Sequence, residues 1–327
     1  MILKDRVWGE FKVDESPLID IIKNPEFKRL DKISQFGLPF KYYPLPQFTR
    51  HEHSIGVMLL LRKLGAGLEE QTAGLLHDTS HTAFSHLVDW VIGDRKREDF
   101  QDNRHIDYLK NSSFREIIEN HGFNIDDIAS LSKYSLLEMP IPNLCADRVD
   151  YAMREFQDWA NPSIVGFCSA GLENYNGKIV FSRHEDARNF AYSYMKLQRE
   201  HWGGAEWMLR WQIFSEALKE SINKGIIKRE DFLLNDEEVL EKIENCEDRS
   251  ILAKLKKLRG GLNYSLNCDE CDYILRKKFR HIDPCYLENG SIKRLSIEEP
   301  EYKRHLLEEK RSNNAGWRIK CLSIRFK

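Results

Sequence analysis

The stretch Ala73-Gly-Leu-Leu-His-Asp-Thr-Ser-His-Thr-Ala-Phe-Ser-His86 decides how the rest of this chain is interpreted. Its apolar beginning, residues 73–76, predicts a buried helical turn, and the pair His77-Asp78 follows that turn directly. An imidazole and a carboxylate in this position could both face one cation. The stretch therefore predicts half of a metal site, which side chains elsewhere in the chain must complete.

Two other segments supply the remaining ligands. His53 lies in Arg50-His-Glu-His-Ser-Ile-Gly-Val57, at the head of an apolar helix, and Asp147 opens Asp147-Arg-Val-Asp-Tyr151. Two imidazoles and two carboxylates neutralise a divalent cation and leave positions for water and a phosphate oxygen. We therefore predict a divalent metal ion bound by His53, His77, Asp78 and Asp147. These ligands suit Mn, Fe, Co, Ni, Zn or Mg and do not identify the ion.

Composition limits the class of protein and its partners. With 327 residues the chain can form one large domain or two, and its formal net charge of −2 gives no bulk electrostatic reason to expect nucleic acid as a partner. No apolar run is long enough to span a membrane, and the first residues are too charged for a signal peptide. Seven cysteines without a regular framework predict reduced thiols and a cytoplasmic location.

Periodicity predicts a mainly α protein with a smaller α+β part at its C-terminal end. Helices are expected from Ser16, from Asn24, over 52–63, over 69–77 and through 184–224, with a break at Gly203-Gly204. Tyr175-Asn-Gly-Lys predicts a turn into a strand. After residue 260, strands are expected near 273–282, near 291–297 and in the tail from Cys321. The predicted division is a helical domain, 1–260, with the region 261–327 packed on it.

The pattern of His53, His77-Asp78 and Asp147 resembles the signature of the HD-superfamily metal-dependent phosphohydrolases. Within that superfamily, residues 75–86, 24–35 and 42–57 resemble the deoxynucleoside triphosphate triphosphohydrolase branch. The likeness covers most of residues 5–215, and Lys277–Pro284 is similar to a C-terminal segment of the same group. It implies an HD-domain helical bundle that hydrolyses a dNTP to deoxynucleoside and triphosphate by means of a metal-activated water.

Carried over by position, the resemblance assigns catalytic roles to His81, Asp89 and His105, and substrate contacts to Gln35, Arg50, His86, Arg148 and Tyr151. The chain departs from the branch in places. His105 is followed by Ile106 where relatives have glutamate, and Arg199 and Ala191 stand where relatives place a tyrosine and an arginine over the substrate. The substrate could therefore be another nucleotide or phosphoester, so that a nucleotidase or phosphodiesterase is the second interpretation.

An interpretation from another class is a non-catalytic regulatory module that binds nucleotide or nucleic acid, which the basic stretch 276–280 permits. Two smaller features also have alternatives. Cys268, Cys271, His281 and Cys285 could close a structural zinc site or be free thiols. The aromatic-rich loop 36–48 is a candidate interface if the chain forms a homo-oligomer, and Trp207 and Trp211 are predicted to be core residues rather than a ligand cage.

Overall fold

A computed structural model describes residues 1–322, and helices dominate it. The α-helices are α1 Ser16–Lys23, α2 Pro25–Lys28, α3 Arg50–Lys63, α4 Leu68–Leu76, α5 Val88–Val91, α6 His105–Asn111, α7 Phe114–Asn120, α8 Ile125–Ala129, α9 Ala146–Glu155, α10 Val165–Gly171, α11 His184–Leu197, α12 Ala205–Asn223, α13 Asp236–Glu244, α14 Arg249–Leu258, α15 Leu295–Glu298 and α16 Pro300–Ala315. Two π-helical turns, Phe156–Ala160 and Gln198–Trp202, directly follow α9 and α11.

Three small sheets accompany the helices. The strands are β1 Ile2–Asp5, β2 Gly9–Lys12, β3 Leu172–Tyr175, β4 Lys178–Phe181, β5 Tyr264–Leu266, β6 Tyr273–Leu275, β7 Cys285–Glu288, β8 Ser291–Arg294 and β9 Trp317–Cys321. Their orders are β1-β2, β3-β4-β7-β8 and β5-β9-β6. Strand β7 joins β4 in parallel, with Phe181 opposite Tyr286, so the second sheet combines strands from both sides of residue 260.

Two apolar clusters form the core. One contains α3, α4, α9 and α11 together with the N-terminal helices, and the other contains the loop 36–48, residues 83–90 and α12 to α14. A cavity of about 390 Å³ takes its lining from both clusters, for example Trp202 from the first and Met208 from the second. The site described below occupies this cavity.

Helix α3 packs closely against α4 and α9, and two glycines permit the approach. A Cβ atom at Gly56 of α3 would overlap the side chains of Asp150 and Arg154 on α9. A Cβ atom at Gly74 of α4 would overlap Leu61 of α3. Since no larger residue fits at either position without displacing its neighbour, the glycines set how near the three helices bring their polar side chains.

Most predicted elements agree with the structure. The mainly helical character is confirmed, the helices break after residue 202 as predicted, and Asn176-Gly177 forms the turn of a β3–β4 hairpin with positive φ at both residues. The first helix begins at Ser16 as predicted, and Glu15 at its N-cap position makes no side-chain capping hydrogen bond. The predicted strand in the tail is described only as far as Cys321 of β9, because residues 323–327 lie outside the described part.

The candidate interface in the loop 36–48 stays a prediction, but most of the loop's aromatic rings pack inside the chain itself. Phe36, Tyr42, Tyr43 and Phe48 are buried in the second apolar cluster, and of the loop's aromatic rings only Phe40 is exposed. Burial in the core stabilises the fold and leaves these rings unavailable to a partner. The boundary at residue 260 stays a prediction.

Candidate metal centre and active site

Three of the four predicted metal ligands converge on one point. His53 of α3, His77 directly after α4 and Asp147 of α9 each direct one ligand atom to a position where these atoms all lie within 4.8 Å of one another. Asp147 Oδ1 is 2.9 Å from Nε2 of His53 and 3.6 Å from Nε2 of His77. Three helices that meet at the close crossings described above thus supply the three donors.

Asp78, the fourth predicted ligand, lies beside this group but is also paired with an arginine. Its Oδ1 is 3.5 Å from Nε2 of His77, and its Oδ2 is 3.7 Å from Nε2 of His53. Oδ2 also accepts a hydrogen bond of 2.7 Å from Nη1 of the buried Arg50. Arg50 therefore holds the pKa of Asp78 well below its usual value against the effect of burial, and Asp78 remains a carboxylate.

The hydrogen bonds of Nδ1 determine which ring nitrogen of His77 and of His53 carries a proton. Nδ1 of His77 lies 2.7 Å from the carbonyl oxygen of Gly74, which can only accept, so Nδ1 carries the proton. Nδ1 of His53 likewise donates to Oδ2 of Asp150 at 2.7 Å. In both rings Nε2 faces Asp147, and a bound cation would take the place of the proton that Nε2 carries in the imidazolium form. Nε2 of His77 is buried and has no hydrogen-bond partner among residues 1–322, as expected for a nitrogen that binds a cation.

The electrostatics of the cluster also suit a cation. Burial alone would lower the pKa of His77, but Asp78 and Asp147 outweigh it and raise that pKa to about 9. The pKa of Asp147 is lowered despite burial, because both imidazoles stabilise its charge. The carboxylates thus attract positive charge to the position between the two Nε2 atoms. The donor set of two nitrogens and carboxylate oxygens fits a divalent metal ion.

Asp150 was not predicted as a site residue. It lies one turn after Asp147 on α9, and besides His53 it accepts hydrogen bonds from Trp8 Nε1 and from Nε of Arg154 at 2.8 Å. All of these groups are buried. The i, i+3 spacing of the two aspartates in Asp147-Arg-Val-Asp was the available signal, since it places both carboxylates on one face of a helix.

Of the predicted catalytic residues, His81 lines the cavity, whereas Asp89 and His105 lie behind its lining. The predicted substrate contact His86 also lines the cavity, and its ring centroid is 5.0 Å from that of His81. Asp89 lies behind His86, at 3.7 Å from its Nδ1, which is too long for a direct hydrogen bond. His105 does not line the cavity: its Nδ1 contacts the hydroxyl of Ser80 at 3.2 Å, and its Nε2 has no partner in the described chain.

Burial governs the charge of these imidazoles. It lowers the pKa of His81 to about 4, with Arg50 acting in the same direction, and it lowers the pKa of His105 to about 4. The pKa of His86 is also far below its usual value. Without a bound anion all three rings are therefore neutral at pH 7. Burial has the opposite effect on Asp89 and raises its pKa to about 7.

The other predicted substrate contacts, Gln35, Arg50, Arg148 and Tyr151, line the same cavity as His86. Oε1 of Gln35 is buried without a hydrogen-bond partner among the described residues. Arg148 donates to the carbonyl oxygens of Met139 and Asn143, which fixes its guanidinium on the wall. The hydroxyl of Tyr151 is 2.6 Å from that of Tyr194.

An aromatic wall, formed by the neighbouring rings of Phe36, Tyr43, His201 and Trp207, lines part of the cavity. The Tyr43 ring lies 4.4 Å from Trp207 and 5.2 Å from Phe36. Nδ1 of His201 donates to Oε2 of Glu155 at 2.7 Å, while its Nε2 contacts the hydroxyl of Tyr43. Trp207 is thus a cavity residue, contrary to its prediction as a core residue only, and Trp211 both lines the cavity and packs in the core.

The structure does not bring the four predicted zinc ligands together. Cys268 and Cys271 lie in the loop before β6, whereas Cys285 begins β7 in a different sheet. The ring of His281 stacks on Phe279, with centroids 5.2 Å apart. Within residues 1–322, none of the four belongs to a group of side chains that could hold a metal ion. All seven cysteines are free thiols.

Comparison with known proteins agrees with this geometry. The model of the HD domain family matches residues 50–155, which contain all four predicted metal ligands. The chain belongs to the HD superfamily of metal-dependent phosphohydrolases. This HD phosphohydrolase is 33% identical over 304 residues to the uncharacterized protein YdhJ of Bacillus subtilis, covering 91% of this chain and 93% of that protein.

Other relatives of this HD phosphohydrolase match over a shorter region. It is 37% identical over 155 residues to the metal-dependent phosphohydrolase cns2 of Cordyceps militaris, covering 47% of this chain and 45% of cns2. It is 39% identical over 103 residues to the deoxynucleoside triphosphate triphosphohydrolase SAMHD1 of Xenopus laevis, covering 27% of this chain and 16% of that protein.

A solved structure shares the fold over nearly the whole chain. The phosphohydrolase BT4208 of Bacteroides thetaiotaomicron superposes with a TM-score of 0.68 at 18% identity, covering 98% of this chain and 99% of the other. Among residues 1–322, no helix combines the length and apolar character that crossing a bilayer requires.

Proposed function

We propose that this HD phosphohydrolase acts on nucleotides and hydrolyses a dNTP to deoxynucleoside and inorganic triphosphate. The observation that carries the proposal is that one cavity is lined by three of the four predicted metal ligands, His77, Asp78 and Asp147, by the cationic side chains of Arg50 and Arg148, and by the aromatic wall. A nucleotide has matching parts: phosphates for the cations and a planar base for the aromatic rings. The identity with SAMHD1, though short, points to the same substrate class.

His53, His77, Asp78 and Asp147 would hold the metal ion. When bound, a divalent ion supplies a water molecule of lowered pKa and polarises a phosphoryl oxygen. Hydrogen bonds from Nδ1 of His77 to Gly74 and from Nδ1 of His53 to Asp150 orient the two imidazoles that would bind this ion. Preorganised ligands of this kind keep the reacting groups aligned without reorganisation during the reaction.

The cations and imidazoles would hold the phosphates. Arg50 and Arg148 are fixed by hydrogen bonds to protein acceptors, so their charges stay on the cavity wall. A guanidinium fork suits the bridging and terminal oxygens of a phosphate chain. His81 contacts the same carboxylate as Arg50, that of Asp78, and His86 lies next to His81 in the cavity lining. Each of the two histidines could donate one hydrogen bond to a phosphate oxygen.

The part of the cavity that is lined by the aromatic wall and Gln35 would hold the nucleoside. The base could stack on the aromatic wall, which a planar ring system favours. The free amide oxygen of Gln35 would accept a hydrogen bond from a sugar hydroxyl. Glu155 is not available for that purpose, because its two carboxylate oxygens accept from His201 and Trp202, each at 2.7 Å.

The seven free thiols agree with the proposed cytoplasmic location.

The test is to load the protein in turn with Mn, Fe, Co, Ni, Zn or Mg and incubate it with dNTPs, NTPs and monophosphates. Products are identified by anion-exchange chromatography. We expect deoxynucleoside and inorganic triphosphate in equal amounts, and no turnover in the presence of a chelator. His77→Ala removes one metal ligand and should lose turnover. His121→Ala, which removes a histidine paired with Asp20 outside the cavity, should keep it.

Other products would identify a different enzyme or no enzyme. Release of orthophosphate would contradict the triphosphohydrolase proposal and favour a nucleotidase, and cleavage of a diester would favour a phosphodiesterase. Absence of products together with nucleotide binding would favour the non-catalytic regulatory module. Full turnover by folded His77→Ala protein would contradict the proposed metal centre itself.

A further inference from the structure

A segment that connects two sheets brings three cations into the cavity. Residues 276–284, here called the strap, run between β6 and β7 without helix or strand. Lys277, Lys278 and Arg280 of the strap line the same cavity as His77 and Asp147. The preceding residue of the strap, Arg276, does not line it. The three cations are thus part of the active-site wall, although they lie more than a hundred residues after the last predicted metal ligand.

Hydrogen bonds hold the strap backbone in place. The backbone N–H of Arg280 donates to Oε1 of Gln198 at 3.0 Å, and Nδ2 of Asn313 donates to the carbonyl oxygen of Lys277 at 2.9 Å. Further along, the hydroxyl of Tyr302 donates to the carbonyl oxygen of Ile282 at 2.6 Å. Contacts from α16 and from the turn after α11 therefore fix where the three cations lie. A fixed position reduces the entropy lost when an anion binds.

The positive charge of the strap is only partly neutralised. Glu98 pairs with Nη2 of Arg280 at 2.7 Å, but Nη1 of Arg280 is buried and has no hydrogen-bond partner among the described residues. Nζ of Lys277 lies 3.4 Å above the ring of Trp211. Nζ of Lys278 donates to the carbonyl oxygen of Arg97 at 3.2 Å. Within residues 1–322, no carboxylate lies within 4.0 Å of either lysine ammonium.

A buried, unpaired cation is costly to the fold unless something compensates for it. Burial is the main reason why the pKa of Lys277 falls to about 7, and the neighbouring Arg280 lowers it further. A group with several negative charges would restore the charged form of Lys277 and would give Nη1 of Arg280 an acceptor. Within residues 1–322, none of the three strap cations pairs with Asp78 or Asp147, so the anion at the strap would be a different phosphate group of the same molecule from the one at the metal centre.

We propose that Lys277, Lys278 and Arg280 form a second anion subsite, which binds the phosphates of a polyphosphate chain that the metal centre does not hold. The subsite makes the cavity selective for nucleoside polyphosphates over monophosphates. This inference rests on the proposed function, since it names the part of the substrate that the strap recognises.

The experiment measures the binding of inorganic triphosphate and of orthophosphate to the metal-loaded, full-length protein by isothermal titration calorimetry. Unbound metal is removed beforehand, and the metal content is measured again after each titration. The variant Lys277→Gln/Lys278→Gln removes two charges from the subsite. Arg276→Gln removes a charge from the same strap outside the cavity and is the matched control. Circular dichroism and thermal melting check that each variant folds.

We expect the wild type to bind triphosphate at least about tenfold more tightly than orthophosphate, because charge-assisted contacts at the strap add to those at the metal. The double variant should lose about tenfold in affinity for triphosphate, while Arg276→Gln should stay within about twofold of the wild type. Lys278 is exposed, so Lys278→Gln alone provides a folded variant, with a smaller loss, if the double variant does not fold.

Equal affinity for triphosphate in the wild type and a folded lysine variant would overturn the proposal. The proposal would also be overturned if Arg276→Gln lost as much affinity for triphosphate as the lysine variants. The loss of affinity would then depend on the net charge of the protein and not on a subsite. Failure of the proposed function is distinguishable, since it would appear as a lack of dNTP hydrolysis by the wild type. The titrations detect binding and do not depend on turnover.

Discussion

The carboxylate of Asp150 lies 2.7 Å from Nδ1 of His53, and this hydrogen bond determines which nitrogen of His53 faces the metal centre. Asp150 in turn is held by Arg154 and by the indole N–H of Trp8. The metal centre therefore depends on a buried chain of hydrogen bonds that reaches from α3 through α9 to the N-terminal hairpin. Loss of any member should weaken metal binding without removing a ligand.

Asp150→Asn should lower metal affinity by about 10- to 100-fold, because an amide holds the protonated Nδ1 of His53 less firmly than a carboxylate does. Competition with a chromogenic chelator measures the affinity. Asp20→Asn is the control, because Asp20 pairs with His121 at 2.8 Å outside the cavity, and it should leave metal affinity unchanged. Wild-type affinity in folded Asp150→Asn protein would contradict the orienting role of Asp150.

Gly56→Ala should destabilise the fold by about 3 kcal/mol, because the new Cβ atom would push apart the buried pair of Asp150 and Arg154. Urea denaturation measures the free energy of unfolding. Gly166→Ala is the matched control in α10, where a Cβ atom meets no other atom within 4 Å, and it should be neutral or gain about 0.5 kcal/mol. Equal stability of the two variants would refute the close-approach argument.

Because the pKa of Lys277 is lowered in the folded chain, we expect the stability of the protein to depend on pH. Its pKa is about 7 in the folded chain and about 10.4 for an unperturbed lysine. Between these values the unfolded chain binds the additional proton, so the contribution of Lys277 to the free energy of unfolding becomes more favourable as pH rises through this window. From pH 7 to 9 we expect the wild type to gain about 1 to 2 kcal/mol relative to Lys277→Met.

The measurement is urea denaturation of both proteins at pH 7, 8 and 9. The charged groups that influence Lys277, namely Glu98, Arg280, Glu155 and Asp89, are the same in the wild type and in Lys277→Met. Their titration is common to the two proteins to first order, so the difference reports on Lys277. Parallel pH profiles would contradict the lowered pKa of the Lys277 ammonium.

Trp207→Ala should raise the KM for a nucleotide by about tenfold with little change in kcat, because base stacking contributes equally to the ground state and the transition state. Initial rates at varied nucleotide concentration separate the two parameters. Phe167→Ala, which removes an exposed ring outside the cavity, should leave both parameters unchanged. An unchanged KM for Trp207→Ala would indicate that the base does not reach the aromatic wall.

Sequence patterns indicated a candidate metal centre because its predicted ligands occur in short, distinctive contexts. His53, His77-Asp78 and Asp147 each lie near the beginning or end of a helix with a recognisable apolar pattern. The structure brings ligand atoms of His53, His77 and Asp147 together, with Asp78 beside them. Asp150 carried a usable signal in its spacing from Asp147. The hairpin at Asn176-Gly177 was equally local, since only a few residues adopt positive φ readily.

The remaining walls of the cavity could not be predicted in this way. Trp207 has the same helical spacing and apolar character as a core residue, and only tertiary packing decides whether such a ring faces other side chains or a cavity. The basic stretch 276–280 indicated an anion-binding segment, but more than a hundred residues separate it from the metal ligands, so the sequence did not place it in their cavity. The strand predicted near 273–282 is correct only for Tyr273–Leu275. The zinc hypothesis failed to gain support for a related reason, because spacing along the chain does not show that Cys268 and Cys285 lie in different sheets.

All predicted metal ligands lie between residues 53 and 147, whereas the aromatic wall and the strap draw on residues outside that interval, up to residue 284. The proposed substrate-binding surfaces are therefore encoded largely outside the part of the gene that encodes the predicted metal ligands. Substitutions, insertions or recombination on either side of residues 53–147 could redirect the proposed activity to a new phosphoester while the predicted metal ligands stay intact. Such a division would allow one reaction to diversify across many metabolites.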